Sequence, residues 1–146
     1  MRRTIGVAVL AWAWVGLGPV DAAAQAGDTF AVRLSVVPVD ARTTLTTSGI
    51  GSVRVVLIEN RLFMTGAFEG MSSAAIAAHI HQGRPGQRGP IAFQLSVSKD
   101  SSGVLGGGVR LTDEEVEALR DGGYYIQVHT EGNPGGELRG WILESE

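Results

Sequence analysis

The fold is decided by residues 53–68, which read VRVVLIENRLFMTGAF. The run at 53–58 is apolar and rich in β-branched residues, and a second apolar run follows at 62–68. Between them, residues 59–61 supply a short polar turn. Two strand-type runs joined by so short a connection predict a β-hairpin. The sequence therefore predicts antiparallel β-structure, and the rest of the chain extends it.

Strand-type runs recur on both sides of this hairpin. At 29–37 apolar residues alternate with polar or small ones, which is the pattern of a strand with one buried face. Further runs lie at 74–81, 91–97, 103–111, 124–130 and 137–142. Seven or so short strands predict an antiparallel sandwich or a small barrel.

One short helix is predicted after the strand at 103–111. Thr112 and Glu115 have the spacing of a capping box, in which each side chain bonds the backbone amide of the other residue. Val116 and Leu119 supply a small apolar face, and Gly122 suits the left-handed position after a helix. These signals predict a helix of two turns at most.

Residues 1–26 have the features of an export signal. Arg2 and Arg3 form a charged start, residues 5–18 are uncharged and apolar, and small residues follow at 22–26. The apolar run is shorter than the ~20 residues that span a bilayer, so we expect removal of the signal and no remaining membrane span. Residues 27–146 are then predicted to form one domain, secreted or periplasmic in a bacterium.

Composition excludes several kinds of site. The chain has no cysteine, which rules out disulfides and leaves imidazole and carboxylate as the ligands for any metal. The formal net charge is −3 and no basic run stands out, which argues against nucleic acid as a partner. Neither a nucleophile elbow nor a phosphate-binding P-loop is present, so the sequence does not predict an enzyme.

All three histidines lie in two short segments, AHIHQG at 78–83 and QVHT at 127–130. Residues two apart share a strand face, so His79 and His81 point the same way, with Cα atoms roughly 6.5–7 Å apart. His129 falls on the polar face of the later strand. If the two strands are neighbours, the three imidazoles form a cluster that suits copper or zinc and leaves one coordination position open.

A structural role for the same histidines remains open. Each ring offers one donor and one acceptor and can fix the glycine-rich loop at 83–90 through a backbone carbonyl. Glu137 also has two interpretations. It shares a strand face with Arg139, where each can form an exposed cross-strand salt bridge, or it can accept the free N–H of a metal-bound imidazole.

Several separated motifs resemble one family, the CHRD domain. They are HIHQG at 79–83 with Gly86 and Gly89-Pro90 after it, YIQVHT at 125–130, and PGGELRG at 134–140. The resemblance covers about residues 30–142. That domain occurs repeated in chordin and singly in many exported microbial proteins. The resemblance implies a secreted β-sandwich and brings no settled biochemical activity.

The sequence thus predicts an all-β, antiparallel Greek-key β-sandwich with one short helix, of the immunoglobulin or superoxide dismutase kind. The first functional hypothesis is an exported module that binds copper or zinc through His79, His81 and His129. The alternative is a metal-free module that recognises an unknown extracellular or envelope protein, with structural histidines. A metal-dependent redox enzyme is a third, weaker hypothesis.

Overall fold

A computed structural model describes residues 27–37 and 46–144. The predicted signal at 1–26 lies outside these residues. The described part contains eight strands and one helix: β1 Asp28–Val36, β2 Ile50–Ile58, β3 Arg61–Glu69, β4 Ala75–Gln82, β5 Ile91–Val97, β6 Gly103–Arg110, α1 Asp113–Arg120, β7 Tyr124–Thr130 and β8 Leu138–Trp141. The predicted hairpin is confirmed as β2–β3, with residues 59 and 60 in its turn.

The strands close into one antiparallel barrel in the order β1-β2-β3-β6-β5-β4-β7-β8. The prediction of a two-sheet sandwich is therefore wrong. Two seams decide the difference: β1 pairs with β8 at Ser35↔Arg139 and Val36↔Leu138, and β5 pairs with β6 at two positions likewise. Sandwich and barrel strands both bury one face, so alternation along the sequence does not distinguish them. A seam of only two residue pairs produces no recognisable pattern in the sequence.

Gly140 permits the closure at the first seam. A Cβ atom at this position would lie 2.3 Å from the carbonyl oxygen of Arg33 on β1. Only a residue without a side chain allows β8 to approach β1 this closely. The seam thus depends on a contact between residues far apart in the sequence.

The barrel interior is one apolar core. Its side chains come from alternate positions of the strands, including Phe30, Val55, Leu62, Ile80 and Ile126, all of which are almost fully buried. The positions between them point outward, as the two-residue period of a strand requires. The outer side chains of β7, His81 of β4 and Arg139 of β8 are nevertheless buried, so this part of the wall is covered.

The helix packs against one end of the barrel through Val116 and Leu119, both members of the core. Its predicted capping box is confirmed: the Thr112 hydroxyl accepts from the Glu115 amide at 3.2 Å, and the Glu115 carboxylate accepts from the Thr112 amide at 2.8 Å. Gly122 has a φ of 69°, the left-handed conformation expected after the helix. Among the described residues no helix has the length and apolar character required to cross a membrane.

Candidate metal centre

The barrel places the two histidine strands side by side. β4 pairs with β7 so that His79 lies opposite Gln127, His81 opposite Tyr125, and His129 opposite Ala77. The residues between them on both strands point into the core. The three imidazoles therefore share the outer face of the β4–β7 wall, as strand periodicity predicts.

The loop at residues 83–90 leaves the helix end of the barrel and covers this face. His81 Nδ1 lies 3.0 Å from the carbonyl oxygen of Gly89. The amide of Gly89 donates to the Tyr125 hydroxyl at 3.1 Å. Under this loop His81 is only 8% exposed, although it lies on the outside of the barrel.

A second loop, residues 131–137 between β7 and β8, covers the same face from the opposite end. His129 Nδ1 lies 2.9 Å from the carbonyl oxygen of Pro134. The Gln127 amide donates to the carbonyl oxygen of Gly135 at 2.8 Å. His129 is 8% exposed as a result. The site is thus built from one wall of the barrel and two loops.

The three rings converge. Their centroids are 5.0 Å apart for His79 and His129, 5.7 Å for His81 and His129, and 5.8 Å for His79 and His81. One ligand nitrogen from each residue lies within 4.8 Å of the other two. Nitrogens bonded to one ion at 2.0–2.1 Å are about 4.2 Å apart when they lie opposite each other and about 3.4 Å apart in a tetrahedral site, so the rings would draw together by roughly 0.6–1.4 Å.

The hydrogen bonds leave one nitrogen of each buried ring available. A carbonyl oxygen only accepts, so Nδ1 of His81 and of His129 carries the proton, and Nε2 keeps its lone pair. Both Nε2 atoms are buried and have no hydrogen-bond partner among the described residues, and the same is true of Nδ1 of His79. A ring that donates one N–H to a backbone carbonyl is held in the orientation typical of metal-binding histidines. The donor set fits a metal ion.

The electrostatic environment of His79 and His129 favours their neutral form. Burial lowers the pKa of His79, and the neighbouring His129 and His81 lower it further. Burial also lowers the pKa of His129; the bond to Pro134 opposes this effect, while His81 and Arg139 add to it. Metal binding requires neutral imidazole, so both shifts favour the ligand form at neutral pH.

An aromatic and cationic layer supports the rings from the side of β8. His81 stacks on Tyr125 with centroids 5.0 Å apart and an interplanar angle of 7°. The Arg139 guanidinium lies 4.8 Å from the centre of the Tyr125 ring and 5.7 Å from that of Trp141. Its Nε donates to Gln127 Oε1 at 2.8 Å. These contacts limit the orientation of His81.

Both interpretations of Glu137 are wrong. Its side chain is 0% exposed and accepts from the hydroxyls of Thr130 and Ser72, at 2.6 and 2.9 Å, and from the amides of Ser48 and Ser72. Arg139 is buried as well and contacts Gln127 instead. Within the described residues, Glu137 forms no salt bridge and accepts no hydrogen bond from a histidine. It joins segments at the end of the barrel away from α1.

Sequence reasoning singled out the three histidines and predicted a bond from a ring to a backbone carbonyl of the loop at 83–90, which His81 forms with Gly89. It missed the Pro134 carbonyl that His129 contacts, because a backbone carbonyl leaves no trace in residue type. It also missed Tyr125, whose stacking on His81 follows from the register of β4 against β7. The signal that could have found it is its position, two residues before Gln127 on the face that carries His129.

The geometry agrees with the comparison against protein families. The model of the CHRD domain matches residues 30–142, which includes every strand from Phe30 of β1 to the end of β8. No curated protein and no solved structure matches the chain. The matched region also contains the three histidines and both loops that cover them. The chain belongs to the CHRD domain family.

Proposed function

We propose that this protein is an exported CHRD-domain protein that binds one copper or zinc ion through His79, His81 and His129. One observation carries the proposal: each of the three converging rings has a buried nitrogen without a hydrogen-bond partner. A buried polar atom without a partner destabilises a fold by about 1–3 kcal/mol. Three such atoms in one place are explained by an ion that pairs with all of them.

His79 distinguishes a metal-binding role of the three histidines from a structural role. His81 and His129 hold loops through Nδ1, so a structural role accounts for their presence. Among the described residues His79 forms no hydrogen bond that would hold a loop, and its buried Nδ1 has no hydrogen-bond partner there. A structural role leaves His79 unexplained, whereas metal binding requires it.

The donor set supports copper or zinc. Neutral imidazole suits both ions, and the chain offers no thiolate that would select a softer metal ion. Copper(II) binds nitrogen ligands more tightly than zinc in the usual order of divalent ions, so we expect the higher affinity for copper. The buried rings support binding or storage, since among the described residues no carboxylate or nucleophilic hydroxyl bonds them.

The test is a calorimetric titration of the purified full-length chain with Cu²⁺ and with Zn²⁺ at neutral pH. We expect one ion per chain. His79→Ala should weaken binding roughly 100-fold or more, because loss of a ligand exceeds the 10–100-fold effect of losing an outer partner. Gln94→Ala is the matched control, since Gln94 lies opposite His79 on β5 and is exposed. Equal affinities for wild type and His79→Ala would exclude the site.

The alternative function is a metal-free module that recognises an extracellular or envelope protein. The bonds of His81 and His129 to loop carbonyls support it, because they stabilise the loops without any ion. Absence of metal binding in the titration would favour this alternative. Export itself is tested by cell fractionation with the signal at residues 1–26 present or deleted.

A further inference from the structure

The half of the barrel opposite the histidine wall carries a line of exposed cations. Strands β1, β2, β3 and β6 are consecutive in the barrel. Their outer faces present Arg33, Arg54, Arg61 and Arg110, all exposed, with the exposed ring of Phe63 among them. We call these five residues the arginine stripe.

The pairing register sets the geometry of the stripe. Arg33 lies opposite Ser52, two residues from Arg54; Arg54 lies opposite Thr65, two residues from Phe63. Phe63 in turn lies opposite Gly108, two residues before Arg110. Each step is a diagonal neighbour on the sheet, about 7–8 Å long. The stripe therefore crosses four strands in three even steps.

The arginines of the stripe form no ion pair with any other residue that the structure describes. In residues 27–37 and 46–144 the ion pairs are Arg84–Asp121 and Arg120–Asp28, and neither touches this face. Arg61 and Arg110 lie directly opposite each other, and like charges in that arrangement are destabilising. Burial does not explain the pair, since both side chains are exposed. An external anion would compensate both charges.

Between the arginines this face is small and hydroxylated, and exposed Ile50, Glu69 and Val104 lie at its far end. The exposed residues between the arginines are Ala31, Ser52, Thr65, Ala67 and Gly108. None carries a negative charge. The surface thus combines guanidinium groups that bind carboxylate or sulfate, hydroxyls that bond to other hydroxyls, and one apolar ring.

We propose that the arginine stripe binds a linear acidic polysaccharide. Anionic groups along one chain can contact the arginines in turn as it follows the diagonal, and sugar hydroxyls match Ser52 and Thr65. A flat membrane fits less well, because the stripe bends around a closed barrel. Single-stranded nucleic acid typically stacks successive bases on several aromatic rings, and this face has one. The proposal is independent of the metal centre.

The experiment measures binding of the full-length chain to sodium alginate, a linear polyuronate, by calorimetry at low and moderate ionic strength. We expect binding that weakens with salt, because exposed charges are screened. The double variant Arg54→Gln, Arg110→Gln should bind about tenfold more weakly. The control Arg84→Gln, Lys99→Gln removes the same charge from other faces and should retain the wild-type affinity. Thermal unfolding of each variant verifies that the barrel is intact.

Further binding measurements distinguish the possible ligands of the arginine stripe. The same proteins are tested with neutral dextran, vesicles of phosphatidylglycerol and phosphatidylcholine, and a single-stranded oligonucleotide. Tightest binding to alginate, with loss in the stripe variant alone, supports the proposal. Tighter binding to vesicles or to the oligonucleotide overturns it, as does equal loss in the control variant or no binding to alginate.

Discussion

Glu137 illustrates how one buried side chain holds separate segments together. Its carboxylate accepts hydrogen bonds from Ser48 and Ser72, which lie before β2 and after β3, and from Thr130 at the end of β7. Burial alone would raise the pKa of the Glu137 carboxyl, but the bonds from Thr130, Ser48 and Ser72 together outweigh burial and lower it. The ionised carboxylate is therefore the form that stabilises the fold.

Glu137→Gln should lower the free energy of unfolding at pH 7 by about 2–3 kcal/mol, because an amide cannot accept all of these bonds. The folded pKa lies below the unfolded value near ~4.3, so the stabilisation is present above that pH and is lost as pH falls through the folded pKa. Urea unfolding from pH 7 to pH 3 should show that the difference in free energy of unfolding between wild type and variant becomes smaller in acid. Glu69→Gln, an exposed change, is the control. A gap that stays constant would contradict the prediction.

Sequence reasoning at the residue scale predicted the shared face of His79 and His81 correctly and failed for Glu137. His79 and His81 share a face because of local backbone geometry. Two of the residues that donate to Glu137, Ser72 and Ser48, lie 65 and 89 residues away along the chain, so no local pattern indicates them. Its burial depends on the closed barrel.

At the scale of elements, the loop at residues 83–90 fixes one side of the metal centre. Gly89 contributes both its amide, to Tyr125, and its carbonyl, to His81 Nδ1. A Cβ atom at Gly89 would lie 1.5 Å from the backbone oxygen of Gln82. The loop can adopt this position only with glycine there.

Gly89→Ala should displace the loop and release His81. We expect copper affinity to fall about 10–100-fold, the usual effect of losing the group that orients a ligand. The measurement is the same metal titration. Gly135→Ala serves as the control, because a Cβ there meets nothing within 4 Å. Equal affinity of Gly89→Ala and wild type would show that the loop does not orient His81.

Elements with local signals were predicted well. The β2–β3 hairpin and the capping box of α1 depend on residues within a few positions of each other. The roles of the two covering loops were harder to predict, since their carbonyls reach the histidines only after β4 and β7 pair.

For the whole molecule, metal binding should be linked to stability. The proposed ligands come from β4 and β7, so an ion bound to them would join two strands of the barrel wall beneath two loops. At a free ion concentration of 100 times Kd, binding stabilises the folded state by about 2.7 kcal/mol. A gain of that size corresponds to a rise in Tm of roughly 10 °C for a domain of this length.

Thermal unfolding with increasing Cu²⁺ or Zn²⁺ checks this expectation. The increase in Tm should depend on concentration and disappear in His79→Ala. An equal rise in that variant would show that the ion binds elsewhere.

The sequence by itself determined what depends on neighbours along the chain: strand periodicity, the hairpin, the helix cap and the shared face of His79 and His81. It also indicated the family through motifs in order. The tertiary structure decided the closure of the barrel, the partners of Glu137, the convergence of His129 with the other rings, and the line of arginines from Arg33 to Arg110. Each of these depends on which strands pair and in what register. Those pairings arise between residues distant in sequence, where alternation of apolar and polar residues is the same for several topologies.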